Sequence, residues 1–139
     1  MRIELPDMAA QQEMVFQSGT RAGIDQLYAN LEAPRLPPQS EIDEDSYSRK
    51  HLLRDSEGWE APHPDIVGAY FRHFQSHFVD YNTDKKLAAL LGLRGTSIDR
   101  RIRSFKDGGT PVPYGIWRHF LVLTGRVPQD VIPVLAFMG

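Results

Sequence analysis

Apolar residues recur every three or four positions along the second half of the chain, and this spacing predicts helices. The strongest stripe follows Pro64, where the apolar residues share one helical face: Ile66, Val67, Tyr70, Phe71, Phe74 and Phe78. Residues 7–31 show a weaker pattern, which predicts a helix in two pieces broken near Ser18 and Gly19. The pattern as a whole predicts an all-α fold, a bundle of four to five helices with a partly helical N-terminal extension.

Residues that start and stop helices divide the region after residue 60. Pro64 suits a first helical position, and Asn82 or Thr83 can cap the helix whose inner face carries Leu87, Ala88, Leu90 and Leu91. Gly92 lies where that helix must reverse, because glycine adopts the left-handed conformation at little cost. The next helix is predicted from about Thr96 to Phe105, with a buried stripe of Ile98, Ile102 and Phe105.

The remaining segments complete the predicted organisation. Two glycines and two prolines in residues 106–113 stop the preceding helix, and Tyr114 to Thr124 predicts a closing apolar helix. Residues 33–50 combine prolines with acidic side chains, which is typical of an exposed linker or a disordered segment. We therefore expect an acidic extension over residues 1–58 and a folded domain over residues 59–139 that ends in an apolar tail.

Charge is distributed unevenly between these two parts. Residues 1–60 hold six Lys/Arg and twelve Asp/Glu, whereas residues 61–139 hold ten Lys/Arg and six Asp/Glu. Such an asymmetry points to a part that faces nucleic acid joined to an acidic part, although solvated charge can also segregate by chance. The acidic residues Glu41, Asp43, Glu44 and Asp45 are explained most simply as a solvated linker.

Composition also limits the compartment and the chemistry. The chain has no cysteine, which excludes disulfides and thiolate zinc sites. Neither a signal-peptide core nor an apolar run of transmembrane length is present, so we expect a cytoplasmic protein without a membrane partner. His73 and His77 have the i, i+4 spacing of metal ligands, with His63 upstream, but no HExxH motif accompanies them. No motif of an enzyme is found, and we expect neither catalysis nor a cofactor.

The predicted helix at 96–105 is rich in arginine on the side opposite its apolar stripe. Five basic residues, Arg94, Arg100, Arg101, Arg103 and Lys106, fall within 13 positions. The planar fork of arginine can bind both acceptors of guanine, and flanking basic residues can neutralise phosphates. The simpler explanation is a solvated helix face, but here the arginines coincide with a turn glycine and a Gly/Pro loop.

The segment from Thr83 to Gly125 resembles the helix-turn-helix domain of small phage and plasmid repressors, the lambda-repressor-like family. Ala88, Gly92, Leu93 and Ile98 match the family pattern, as does the loop that begins at Ser104. The chain departs from the pattern three residues after Ile98, where the usual apolar residue is replaced by Arg101 with Ile102 beside it. The resemblance covers about 43 of 139 residues.

The resemblance implies sequence-specific binding of double-stranded DNA, most simply by a transcriptional repressor of a phage, plasmid or conjugative element. The predicted DNA-binding residues are Lys85, Lys86, Arg94, Thr96, Ser97, Arg100, Arg101, Arg103 and Lys106. We expect a homodimer, with the apolar tail contributing to the interface. One alternative is a protein–protein interaction module, such as a phage-type inhibitor of a host protein, that acts through the acidic N-terminal region. A small metal-dependent enzyme using His63, His73 and His77 is a further alternative.

Overall fold

The computed structural model describes residues 3–139, which divide into two compact units, one ending at Pro38 and the other beginning at Gln39. The described residues contain five α-helices and no strand, which confirms the all-α prediction. The helices are α1 (Met8–Asn30), α2 (Pro64–His77), α3 (Asp84–Leu90), α4 (Ile98–Asp107) and α5 (Tyr114–Leu123). Short 3-10 helices cover Glu44–Ser46, Lys50–Leu52, Asp55–Glu57 and Val79–Tyr81.

The first unit consists mainly of α1, which is one continuous helix and not the two pieces that the sequence predicted. Asp7 caps it, because its Oδ1 accepts from the backbone N–H of Ala10 at 2.8 Å. Thr20, which follows the predicted break, lies within the same helix, and its hydroxyl donates to the carbonyl of Phe16 at 2.8 Å. A glycine inside a helix costs only about 1 kcal/mol, which does not suffice to break α1 at Gly19.

The second unit begins 20 residues before the domain boundary that we expected at 58/59. Residues 39–58 belong to it because their side chains bind α2: Glu41 accepts two hydrogen bonds from Arg72, and Glu44 accepts one from the Tyr70 hydroxyl. The hydroxyl of Tyr47 likewise donates to Asp65 at 2.6 Å. The residues that looked like a solvated acidic linker are therefore ordered from Gln39 onward by partners distant in sequence.

Four helices, α2 to α5, enclose one hydrophobic core. Trp117 of α5 is fully buried at its centre and stacks on Tyr70, with ring centroids 5.7 Å apart. Phe71 and Phe120 meet edge to face at 4.9 Å. Both Trp117 and Phe120 belong to α5, which confirms the closing apolar helix that the sequence predicts over Tyr114 to Thr124. Pro64 occupies the first turn of α2, as expected, and the Nδ1 of His63 accepts from the N–H of Asp65 at 3.0 Å.

The chain after α5 leaves the core through a glycine turn. Gly125 has φ +67°, and the N–H of Arg126 donates to the carbonyl of Leu121 at 2.9 Å. Beyond it, residues 128–139 contain no helix. Asp130 pairs with Arg54 and Arg118, whereas the apolar side chains that follow are exposed to solvent: Val131, Ile132, Val134, Leu135, Phe137 and Met138.

Candidate nucleic-acid interface

Helix α3 is the first element of the segment singled out from the sequence. Thr83 caps it, since its hydroxyl oxygen accepts from the N–H of Lys86 at 3.2 Å. Leu87 and Ala88 are fully buried on its inner face. The charged residues Lys85 and Lys86 lie on the exposed side of the same seven-residue helix.

The turn between α3 and α4 depends on Gly92. Its φ of +87° is left-handed, a conformation that favours glycine. The N–H of Leu93 donates to the carbonyl of Ala88 and the N–H of Gly92 to that of Ala89, which is the Schellman pattern that ends a helix. Leu93 is buried, so the turn is held by the core as well as by hydrogen bonds. The predicted reversal at Gly92 is confirmed.

Helix α4 begins at Ile98, two residues later than the sequence predicted. Thr96 and Ser97 precede it and are exposed, and Ser97 occupies the N-cap position without a capping hydrogen bond from its side chain. Ile98, Ile102 and Phe105 are buried, as expected. The departure at Arg101 is explained by this stripe, since Ile102 takes the buried position and Arg101 remains outside.

The C-terminal end of α4 is packed against the start of α2. Gly108 ends the helix at φ +87°, and a Cβ atom there would lie 3.0 Å from Pro64 Cγ. This close approach, together with the buried stripe, fixes the direction of α4 in the unit.

The predicted DNA-binding residues differ in how many partners they have. Within residues 3–139, the side chains of Arg100 and Lys85 make no hydrogen bond, ion pair or ring contact. Among these described residues, the side chain of Lys86 reaches only Asn82, with 3.5 Å between Nζ and Oδ1. The guanidinium of Arg94 donates to the carbonyls of Leu93 and Ala89 at 2.9 and 3.4 Å, which places its charge at the C-terminal end of α3.

The two remaining arginines of α4 have partners on their own helix. The guanidinium of Arg101 lies 5.8 Å from the centroid of the Phe105 ring. Arg103 pairs with Asp99 one turn earlier, at 3.0 Å, and both side chains remain partly exposed. Desolvation raises the pKa of Asp99, but the hydrogen bond and the charge of Arg103, together with the backbone N–H groups of Asp99 and Arg100, lower it by more in sum and leave that pKa below its ordinary value. Asp99 was not among the predicted site residues, although its i, i+4 spacing to Arg103 is visible in the sequence.

Lys106 differs from the other predicted site residues because it forms a half-buried ion pair. Its Nζ lies 2.9 and 3.1 Å from the two carboxylate oxygens of Asp84, and the two side chains are only 20% and 18% exposed. This pair joins the end of α4 to the start of α3. The structure thus gives Lys106 a role in packing, and its charge is not part of the exposed basic surface.

The histidines of α2 form no metal centre with the residues that the structure describes. The rings of His73 and His77 are 4.7 Å apart, but no group of three or more His, Cys, Asp or Glu within residues 3–139 could hold an ion. His63 is engaged as the cap of α2.

A second polar cluster lies in the core and was not recognised from the sequence. His51 is buried, and its Nδ1 accepts from the indole N–H of Trp117 at 3.2 Å. Burial, followed by the charge of Arg49, lowers the pKa of His51 to about 4. Burial and the hydrogen bond to Glu44 raise the pKa of Tyr70 to about 12, and the Arg126 guanidinium lies 3.8 Å from the Tyr70 ring centroid. These groups are separated by up to 82 positions, so no local pattern reveals them.

Comparison with known proteins gives this arrangement no relative: no family model, curated protein or solved structure matches the chain. The resemblance to lambda-repressor-like proteins therefore stays a prediction based on residues 83–125. In the part of the chain that the structure describes, no helix is both long enough and apolar enough to cross a bilayer.

Proposed function

We propose that residues 39–139 bind double-stranded DNA, with α4 entering the major groove and α3 lying across the backbone. The observation that carries this proposal is the division of α4 into two faces. Ile98, Ile102 and Phe105 attach one face to the core, while Arg100 and Arg103 on the other face are exposed, as are Lys85 and Lys86 on α3. A helix fixed in direction and basic on its outer face fits the requirements of groove recognition.

The biological role that best accompanies this activity is cytoplasmic regulation of transcription, by repression, in a phage, plasmid or conjugative element. This part of the proposal derives from the family resemblance. The alternative, a module that binds a protein through acidic residues, has less support because Glu41 and Glu44 are occupied by Arg72 and Tyr70 in their own unit.

A selection from randomised duplex DNA, followed by fluorescence anisotropy with the full-length protein, tests the proposal. We expect one enriched sequence, whose affinity falls at least about tenfold between about 50 and 200 mM salt. Enrichment of no sequence together with salt-independent binding would contradict DNA recognition. Salt-dependent binding without sequence preference would limit the function to non-specific DNA binding.

We also propose that the active form is a homodimer. One recognition helix contacts only a few base pairs. Helix-turn-helix dimers recognise a longer DNA site because they present two such helices about one DNA turn apart. The exposed apolar residues after Asp130 supply a surface that a second copy can cover.

Sedimentation of the full-length protein and of a variant ending at Asp130 tests the dimer. The shortened variant keeps the Asp130 pairs with Arg54 and Arg118, so loss of association would report on the tail alone. A full-length monomer at tens of micromolar, roughly the range of a weak complex, would refute the dimer.

A further inference from the structure

Asp99 is the acidic residue in the first turn of α4, and it lies beside the exposed arginines. Its Oδ2 is 3.0 Å from Nη2 of Arg103, and the two side chains are 36% and 52% exposed. The pair therefore presents hydrogen-bond acceptors and donors side by side on the surface that we propose faces DNA.

A carboxylate on such a surface does not serve phosphate binding, because it repels the DNA backbone. A carboxylate is suited instead to accept hydrogen bonds from the exposed edge of a base. An ionised carboxylate only accepts hydrogen bonds, and it has about four acceptor positions, so the bond from Arg103 leaves others available. In the major groove, cytosine presents its N4 amine as a donor, while guanine presents O6 and N7 as acceptors.

We propose that Asp99 and Arg103 together read adjacent cytosine and guanine bases, the Asp99 carboxylate accepting from cytosine N4 and the Arg103 guanidinium donating to guanine. This inference rests on the proposed DNA binding. The bond between the two side chains holds the guanidinium before DNA arrives, so fewer rotamers are lost on binding. Asp99 thereby becomes a specificity-determining residue, in addition to stabilising the start of α4 by its charge.

The experiment compares the wild type with Asp99→Asn on the selected duplex and on every single base-pair variant of it. Asparagine binds adenine through its N6 and N7. We therefore expect the preference at one position to move from cytosine towards adenine, with discrimination there changing about tenfold. Asp80→Asn is the matched control, because it removes an equal charge from an exposed residue outside α4. It should leave every preference as it is.

Asp99→Glu provides a second test that keeps the negative charge at the start of α4. The added methylene moves the carboxylate, so discrimination at the same position should fall while the melting temperature is retained. Arg103→Lys should weaken the preference for the neighbouring guanine, because lysine lacks the planar fork.

The outcomes separate this inference from the function on which it rests. If the wild type selects no DNA sequence, the proposed function is refuted, and the proposed recognition of cytosine by Asp99 is refuted with it. If the wild type is sequence-specific but Asp99→Asn changes affinity for all duplexes equally, only the inference is overturned. That result would restrict Asp99 to a structural role at the helix start.

Discussion

Two polar clusters of the second unit differ in their exposure to solvent. Around Tyr70, His51 is only 1% exposed, and the Arg126 guanidinium lies over the Tyr70 ring. On the outer face of α4, the arginines are exposed, and within residues 3–139 the side chain of Arg100 makes no hydrogen bond, ion pair or ring contact. The first cluster therefore contributes to stability and its pH dependence, while the second is available to a ligand. Variants in the first cluster should therefore change stability, and variants in the second should change binding.

The largest effect is expected for the stripe that attaches α4 to the core. Ile102→Ala should lower the free energy of unfolding by about 2–5 kcal/mol, because it leaves a cavity where a fully buried side chain was. Chemical denaturation monitored by circular dichroism measures this. Val79→Ala removes an exposed aliphatic side chain and should change stability by less than about 0.5 kcal/mol. Equal effects of the two variants would contradict the burial of α4.

The buried His51 should make the fold sensitive to acid. Its pKa is about 4 in the folded chain, below the ordinary value of 6.5, so the unfolded chain binds a proton more readily between these values. Stability should therefore fall as the pH drops from about 6.5 to about 4, by on the order of 3 kcal/mol, and this contribution should level off below about pH 4.

Denaturation curves at several pH values check this expectation. His51→Gln should flatten the dependence in that window, while His119→Gln, which removes an exposed imidazole, should retain it. An unchanged slope in His51→Gln would show that other groups cause the acid sensitivity.

On the exposed face, Arg100→Ala should weaken binding to the preferred duplex by about 1–3 kcal/mol and relax the sequence preference. Lys86→Ala should instead weaken binding to all duplexes alike and reduce the salt dependence. Anisotropy titrations at two salt concentrations distinguish these effects. Lys50→Ala removes an exposed charge outside the helix-turn-helix segment and should leave the affinity unchanged. Sequence-independent losses of equal size from both Arg100→Ala and Lys86→Ala would remove the claim of base reading.

The smallest effect is expected for a variant of Lys106. This residue lies in α4, but its side chain is packed in the ion pair with Asp84 and is not exposed like the arginines. Lys106→Met should lower stability by about 1 kcal/mol, since it leaves the half-buried Asp84 carboxylate without its cation, although Gln75 still donates to it. Affinity for DNA should change much less than in Arg100→Ala. Thermal melts and titrations of both variants measure the contrast, and a Lys106→Met variant with normal stability but weak binding would reverse it.

The sequence predicted the features that depend on neighbours along the chain. The Thr83 cap, the turn at Gly92 and the stripe of Ile98, Ile102 and Phe105 are readable because their partners lie within about two helical turns. The ion pair of Lys106 with Asp84 spans 22 positions, and no periodicity marks it.

The same limit explains the segment over residues 39–58. Its acidic composition indicated a solvated linker, because the partners of Glu41 and Tyr47 on α2 cannot be assigned from a single sequence. The continuity of α1 was missed for a different reason, since a helix tolerates one unfavourable glycine when the residues around it propagate the helix. The proposed DNA contacts remain predictions from chemistry and resemblance.

The division of α4 into two faces has a consequence for inherited variation. Substitutions at Arg100 or Arg103 change residues outside the core, whereas substitutions at Ile98, Ile102 or Phe105 disturb it. A lineage that carries this chain can therefore exchange outer residues one at a time and keep a folded protein at each step. The fold separates the positions of α4 that folding constrains from those that it leaves free to vary.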